Sequence, residues 1–163
     1  MLAQPTRVLL ADDHPLILEP LRQLLGRHEG IEVVGVCGDG LEAVKSAARL
    51  RPDVVLLDVN MPLLNGIDAC RQIKKLDPHI RVILVSGNDD PARVRDAVQA
   101  GAAGYVMKTA EIDELVLAIA AVRHGNSYFS AQLADVIDIQ QVIADAGAGR
   151  APAGLAKSLH QPS

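Results

Sequence analysis

The stretch VVLLDVNMPLLNG, residues 54–66, decides the fold: an unbroken aliphatic run stops at an acid, Asp58, then passes through Pro62 and Gly66 into a helical pattern. A short apolar run bounded by turn residues reads as a strand covered on both faces, the kind found in parallel sheets. Working outward, the same grammar recurs. VLLADDHP (8–15) carries Asp12 and Asp13 after its apolar run, VILVSG (82–87) carries Ser86, and GYVMK (104–108) carries Lys108. Successive runs lie roughly 20 to 45 residues apart, the separation that helix-linked parallel strands need. The carboxyl ends of parallel strands share one edge of the sheet, so three carboxylates, a hydroxyl and an ammonium are expected to converge there.

Strands are expected over residues 6–11, 31–37, 53–57, 80–85 and 104–107, with helices over 15–27, 41–50, 66–76, 91–100 and 111–124. This is an α/β fold, a doubly wound five-stranded parallel sheet built as (βα)5. Pro15 and Pro91 suit first-turn positions, and Gly101 and Gly125 suit helix ends. Pro20 is expected to kink the first helix, because it removes one backbone bond. Beyond the main domain, residues 1–128, an amphipathic helix over 129–146 is expected to start at Ser130 as N-cap, with Leu133, Val136, Ile137, Gln140 and Ile143 along one face. Residues 147–163, GAGRAPAGLAKSLHQPS, have no periodicity and read as a flexible linker leading to a further domain.

Composition narrows the function. Of the formal charge of −4, the tail 147–163 contributes two cations and no acid, which leaves −6 on residues 1–146. An acidic body argues against direct duplex binding. With one Phe, two Tyr and no Trp, the chain has too few aromatics for a base-stacking platform. Cys37 and Cys70 lie inside expected elements without CxxC spacing and read as buried thiols, which points to the cytoplasm. Neither a membrane span nor a signal-peptide core is expected. The five histidines, His14, His28, His79, His124 and His160, lack metal-ligand spacing and read as solvated. GVCGDG is a weak glycine pattern without GxGxxG, and no GxxxxGK occurs, so nucleotide binding is not expected.

Three carboxylates in hydrogen-bonding range repel one another, and a hard divalent cation relieves that repulsion. An oxygen-only site with room for water suits Mg²⁺. Metal and Lys108 would together attract a phosphoryl group and spread its charge, leaving one carboxylate free to act as nucleophile and form an acyl phosphate. Each of these residues alone has an ordinary explanation as a helix cap, a turn acid or a solvated lysine. Their joint order does not.

With LLADDHP, VVLLDVNMPLLNG, VILVSG and GAAGYVMK in this order over about residues 6–124, the chain resembles the receiver domains of two-component response regulators. HP after the acid pair and GYxxK without a following proline look most like the LuxR/NarL-type transcription factors. The resemblance implies the flavodoxin-like receiver fold and a role for each position. Asp58 matches the phosphoacceptor, Asp13 the direct Mg²⁺ ligand, Asp12 the acid that holds metal-bound water, and Asn60 the residue whose main-chain carbonyl completes the ligands. Lys108 matches the lysine that pairs with the acceptor and then with the phosphoryl oxygen. Ser86 matches the hydroxyl that moves onto the phosphoryl group, and Tyr105 the aromatic that turns inward behind it.

Implied partners are a sensor histidine kinase, a second copy of the chain upon phosphorylation, and DNA only through a C-terminal helix-turn-helix domain. Such a domain is a switch and not a turnover enzyme. The alternatives are a haloacid-dehalogenase-type phosphatase, disfavoured because Asn60 stands where that family has a second Asp, and an unphosphorylated interaction module. Thr109 departs from the proline that many receivers have after the lysine. Pro20 departs within the helix that receivers use to meet kinases.

Overall fold

The computed structural model describes residues 4–150, except for the side chains of residues 148–150. Five strands alternate with five helices: β1 (Thr6–Ala11), α1 (Pro15–Gly26), β2 (Ile31–Cys37), α2 (Gly40–Leu50), β3 (Val54–Asp58), α3 (Gly66–Leu76), β4 (Arg81–Ser86), α4 (Pro91–Gln99), β5 (Gly104–Met107) and α5 (Ile112–Arg123). A two-residue strand, β6 (Tyr128–Phe129), and helix α6 (Ile139–Arg150) follow. All strands pair in parallel, in the order β2-β1-β3-β4-β5-β6. The core strands β1, β3, β4 and β5 therefore bring Ala11, Asp58, Ser86 and Met107 to neighbouring ends of the sheet.

Period-two alternation sends side chains into two separate cores, as a sheet covered on both faces requires. Leu9, Val55, Leu57, Val82, Leu84 and Tyr105 pack toward Ala43, Ala47, Ala69, Ile73, Val94 and Ala97 of α2, α3 and α4. Val8, Leu10, Val54, Leu56, Ile83 and Val106 pack toward Leu25 of α1 and Leu115, Ala118, Ile119 and Val122 of α5. Each fully buried aliphatic side chain contributes roughly 1.5–3 kcal/mol. The alanines on the first face let three helices approach the sheet closely.

Helix starts follow local chemistry. The side chains of Asp39, Asn65 and Asp90 accept from the backbone N–H groups of Glu42, Asp68 and Ala92, and Pro15 and Pro91 occupy first-turn positions. Gly101 and Gly125 have φ of 101° and 89°, the left-handed geometry that ends a helix. Helix α1 runs through Pro20 to Gly26 without interruption, so the expected kink does not break it; Pro20 lies on its exposed side.

Three expected strands match within their limits, and β3 and β4 each start and end one residue later. Backbone pairing continues through Asp58 opposite Val85 and Ser86 opposite Met107, so both residues are held inside the ladder. The larger departure follows α5. The continuous helix expected from Ser130 is replaced by β6, a 3-10 turn (Ala131–Asp135) and then α6. Ser130 makes no cap; its hydroxyl accepts from the Met107 N–H at 3.0 Å and donates to Glu114 Oε2 at 2.8 Å. A buried partner in the domain outcompetes a local cap. The expected apolar face is split accordingly: Leu133 is buried in the main core, Val136 and Gln140 are exposed, and Val142 and Ala146 pack on Val98 of α4.

Residues 147–150 belong to α6 and not to a linker, and the rest of the expected linker lies outside the described residues. At the sheet's two edges, β6 covers part of β5, and β2 carries an irregularity, with Val33 opposite Val8 but Gly35 opposite Leu9. Among the described residues no helix is long and apolar enough to cross a membrane. Cys37 and Cys70 are free and buried, as expected.

Candidate functional site

At the carboxyl edge of the sheet, β1 delivers Asp12 and Asp13, β3 delivers Asp58, and β5 delivers Lys108. Asp58 is 2% exposed and Asp12 8%, whereas Asp13 faces solvent. Lys108 Nζ donates to Asp58 Oδ2 at 2.8 Å and stands 4.0 Å from Asp12 Oδ2. The other oxygen, Asp58 Oδ1, accepts from the Asn60 N–H at 3.1 Å. Burial pushes the Asp58 carboxyl up, against the downward pull of the Lys108 and Asn60 hydrogen bonds, and the net direction is upward. Burial works against the charge of Lys108 as well, but its bond to Asp58 and the charges of Asp58, Asp12 and Asp13 hold its pKa above the ordinary value. A cavity of about 140 Å³ opens beside these ionic groups, lined by Ile17, Leu18, Leu56, Val85 and Leu115.

The carboxylates of Asp12, Asp13 and Asp58 each place an oxygen in a cluster no wider than 4.8 Å, which His14 Nδ1 shares. Three hard oxygen donors from three carboxylates fit a small divalent cation such as Mg²⁺. Histidine 14 was not anticipated here. Its Nδ1 lies 2.8 Å from Asp12 Oδ1, 3.0 Å from Asp13 Oδ1 and 3.8 Å from Asp58 Oδ2. The available signal was its place directly after the acid pair at a helix start, where the chain turns back over the sheet edge.

Ser86 is fully buried, and its hydroxyl bonds the loop that follows it: it accepts from the Asn88 N–H at 3.0 Å and donates to the Asn88 carbonyl at 3.2 Å. Tyr105 is also fully buried, already turned inward, and donates its hydroxyl to that same carbonyl at 2.8 Å. Asn88 is thus a shared anchor that the sequence did not single out. Asn60 is exposed, and its side-chain oxygen accepts from Arg93 of α4 at 3.3 Å. The structure therefore gathers Asp12, Asp13, Asp58 and Lys108 into one cluster. Ser86, Tyr105 and Asn88 form an adjoining polar group.

The response regulator receiver domain model matches residues 8–120. The transcriptional regulatory protein MctR of Rhizobium johnstonii is 40% identical over 131 residues, 80% of this chain and 61% of that protein. The response regulator GacA of Pseudomonas viridiflava is 41% identical over 135 residues, 82% of this chain and 63% of that protein. The chain thus spans about three fifths of the length of these relatives. Among solved structures, a LuxR-family two-component response regulator from an Aurantimonas species superposes with a TM-score of 0.79 at 34% identity, covering 85% of this chain and 99% of that one. CheY in the CheX–CheY–BeF3–Mg²⁺ complex of Borrelia burgdorferi is a more distant match, at TM-score 0.68 and 28% identity over 73% of this chain and 90% of that one.

Proposed function

This chain belongs to the response regulator receiver domain family, and from that premise we propose that Asp58 accepts a phosphoryl group from the phosphohistidine of a sensor histidine kinase. A carboxylate oxygen of Asp58 attacks phosphorus; the O–P bond forms as the N–P bond to the imidazole breaks, and the leaving nitrogen takes up a proton. The observation that carries this reading is the pairing of a buried Asp58 with Lys108 at 2.8 Å beside two further acids. The ammonium favours the ionised form of the acceptor, opposing burial, and stands ready for the incoming phosphoryl oxygens.

Asp12, Asp13 and Asp58 would hold Mg²⁺, with the Asn60 main-chain carbonyl as a further donor. When bound, the cation offsets the charge of the carboxylates and of the phosphoryl oxygens. A phosphoryl group on Asp58 competes for the Ser86 hydroxyl, which then gives up Asn88. Tyr105 already sits inside, bonded to that same Asn88 carbonyl, so the moving part is the loop after β4 and not the aromatic ring.

Output follows by pairing of two copies in the cytoplasm, and residues beyond α6 connect to a C-terminal helix-turn-helix domain that regulates transcription. The regulatory names of the relatives, and their greater length, support that extension. Acetyl phosphate with Mg²⁺ is expected to add one phosphoryl mass to the wild type and none to Asp58→Asn. A variant that still gains the mass overturns the assignment. Sedimentation with and without beryllofluoride tests the pairing separately, and identical self-association in both states removes it.

A further inference from the structure

We infer that the His14 side chain is a tethered occupant of the cation position, so that metal must displace it before the acids can be coordinated. The inference rests on the receiver reading of this site. Among the described residues His14 is the one imidazole that reaches within 4 Å of an oxygen from each of the three acids. Ionised carboxylates only accept hydrogen bonds, so His14 Nδ1 pairs with Asp12 Oδ1 at 2.8 Å as the donor, and the same nitrogen stands 3.0 Å from Asp13 Oδ1. Its own backbone N–H adds a second donor to Asp12 Oδ1, at 2.8 Å.

A cation held at about 2.1 Å from each of those oxygens needs the space that this N–H fills. Protein donor and metal therefore exclude each other. Displacement is sterically open, because the His14 side chain is 51% exposed. The side chain also takes no part in starting α1: His14 occupies the N-cap position but makes no side-chain capping bond. What it does instead is add a donor among crowded carboxylates, beside the Lys108 bond to Asp58, which is the role the metal takes over. The residue thus sets the metal concentration at which the site becomes competent.

The test titrates MgCl2 into wild type, His14→Ala and His14→Asn, following the backbone amide shifts of Asp12 and Asp58 by NMR. Both variants are expected to bind Mg²⁺ about three- to tenfold more tightly, the equivalent of one ordinary hydrogen bond. Asparagine, a good helix N-cap, keeps the start of α1 secure in the second variant. The same titration with Zn²⁺ is expected to tighten in parallel, because an occupant opposes every cation alike.

Equal Mg²⁺ affinities in wild type and variants overturn the inference. Weaker binding in the variants, most of all for Zn²⁺, overturns it too and makes His14 a ligand. If wild type and variants all fail to bind Mg²⁺ at tens of millimolar, the receiver reading falls together with it. Tightening in the variants with no phosphoryl gain at Asp58 leaves this inference standing and removes only the transfer.

Discussion

A buried carboxylate carries a cost in the folded state, and Asp58 shows where that cost appears. Burial holds its pKa above the ordinary 3.8, so the native protein keeps the proton at pH values where the unfolded chain has already lost it. Stability from this group is therefore lost as pH rises through the window just above 3.8, and the penalty stays constant at higher pH. Asp58→Asn removes the charge and leaves an amide oxygen for Lys108. It is expected to raise the urea midpoint above wild type once pH has passed that window, with no advantage in more acidic solution. A lower midpoint at neutral pH would mean that the Lys108 pair outweighs burial. Asp12, Asp13, Asp58, Ser86 and Lys108 were legible in the sequence because strand ends are set by hydrophobic pattern. His14 and Asn88 were not, because their contacts depend on side-chain and loop conformations that no periodicity records.

Elements hold the site through two unadvertised contacts. At the start of α3, a Cβ on Gly66 would lie 2.2 Å from the carbonyl oxygen of Asp58 itself, so this helix can approach the acceptor only without a side chain. Gly66→Ala is expected to destabilise by about 1–3 kcal/mol, as overpacking does, and to lower Mg²⁺ affinity by shifting the end of β3. Unfolding and metal titration on one sample check both. The second contact is Ser130, whose hydroxyl joins the N–H of Met107, next to Lys108, to Glu114 of α5. Ser130→Ala takes the hydroxyl from the Met107 N–H, while Glu114 keeps the Tyr128 hydroxyl at 3.1 Å, and is expected to cost about 1–3 kcal/mol in urea unfolding. A stability equal to wild type would show that water replaces the hydroxyl. Ser130 also explains why the C-terminal segment was misread. A serine before an apolar period looks like a cap, and only the folded domain reveals the buried donor and acceptor that claim it.

Across the whole molecule, the βα alternation was readable from end to end because each strand run is aliphatic and each connection is punctuated by Pro, Gly or a capping acid. The sixth strand was not, since two residues carry no pattern of their own. Helix α6 rests on α4 through Val98, Val142 and Ala146, a cluster separate from both sheet cores. Val142→Asp is expected to release α6 while the domain stays folded. Hydrogen exchange should then accelerate over residues 139–146 and remain slow in β1, β3 and β4; loss of protection throughout would show that α6 is part of the cooperative unit. The strand order has one more consequence, at the rims of the sheet. An unpaired strand offers its backbone to any neighbouring chain and can seed fibrous aggregation. Here one rim ends in the two-residue β6, and the other is bent where Val34 is skipped in the pairing of β2 with β1. Both rims are poor templates for strand addition. A sheet with rims of this kind keeps its backbone from pairing with that of neighbouring chains.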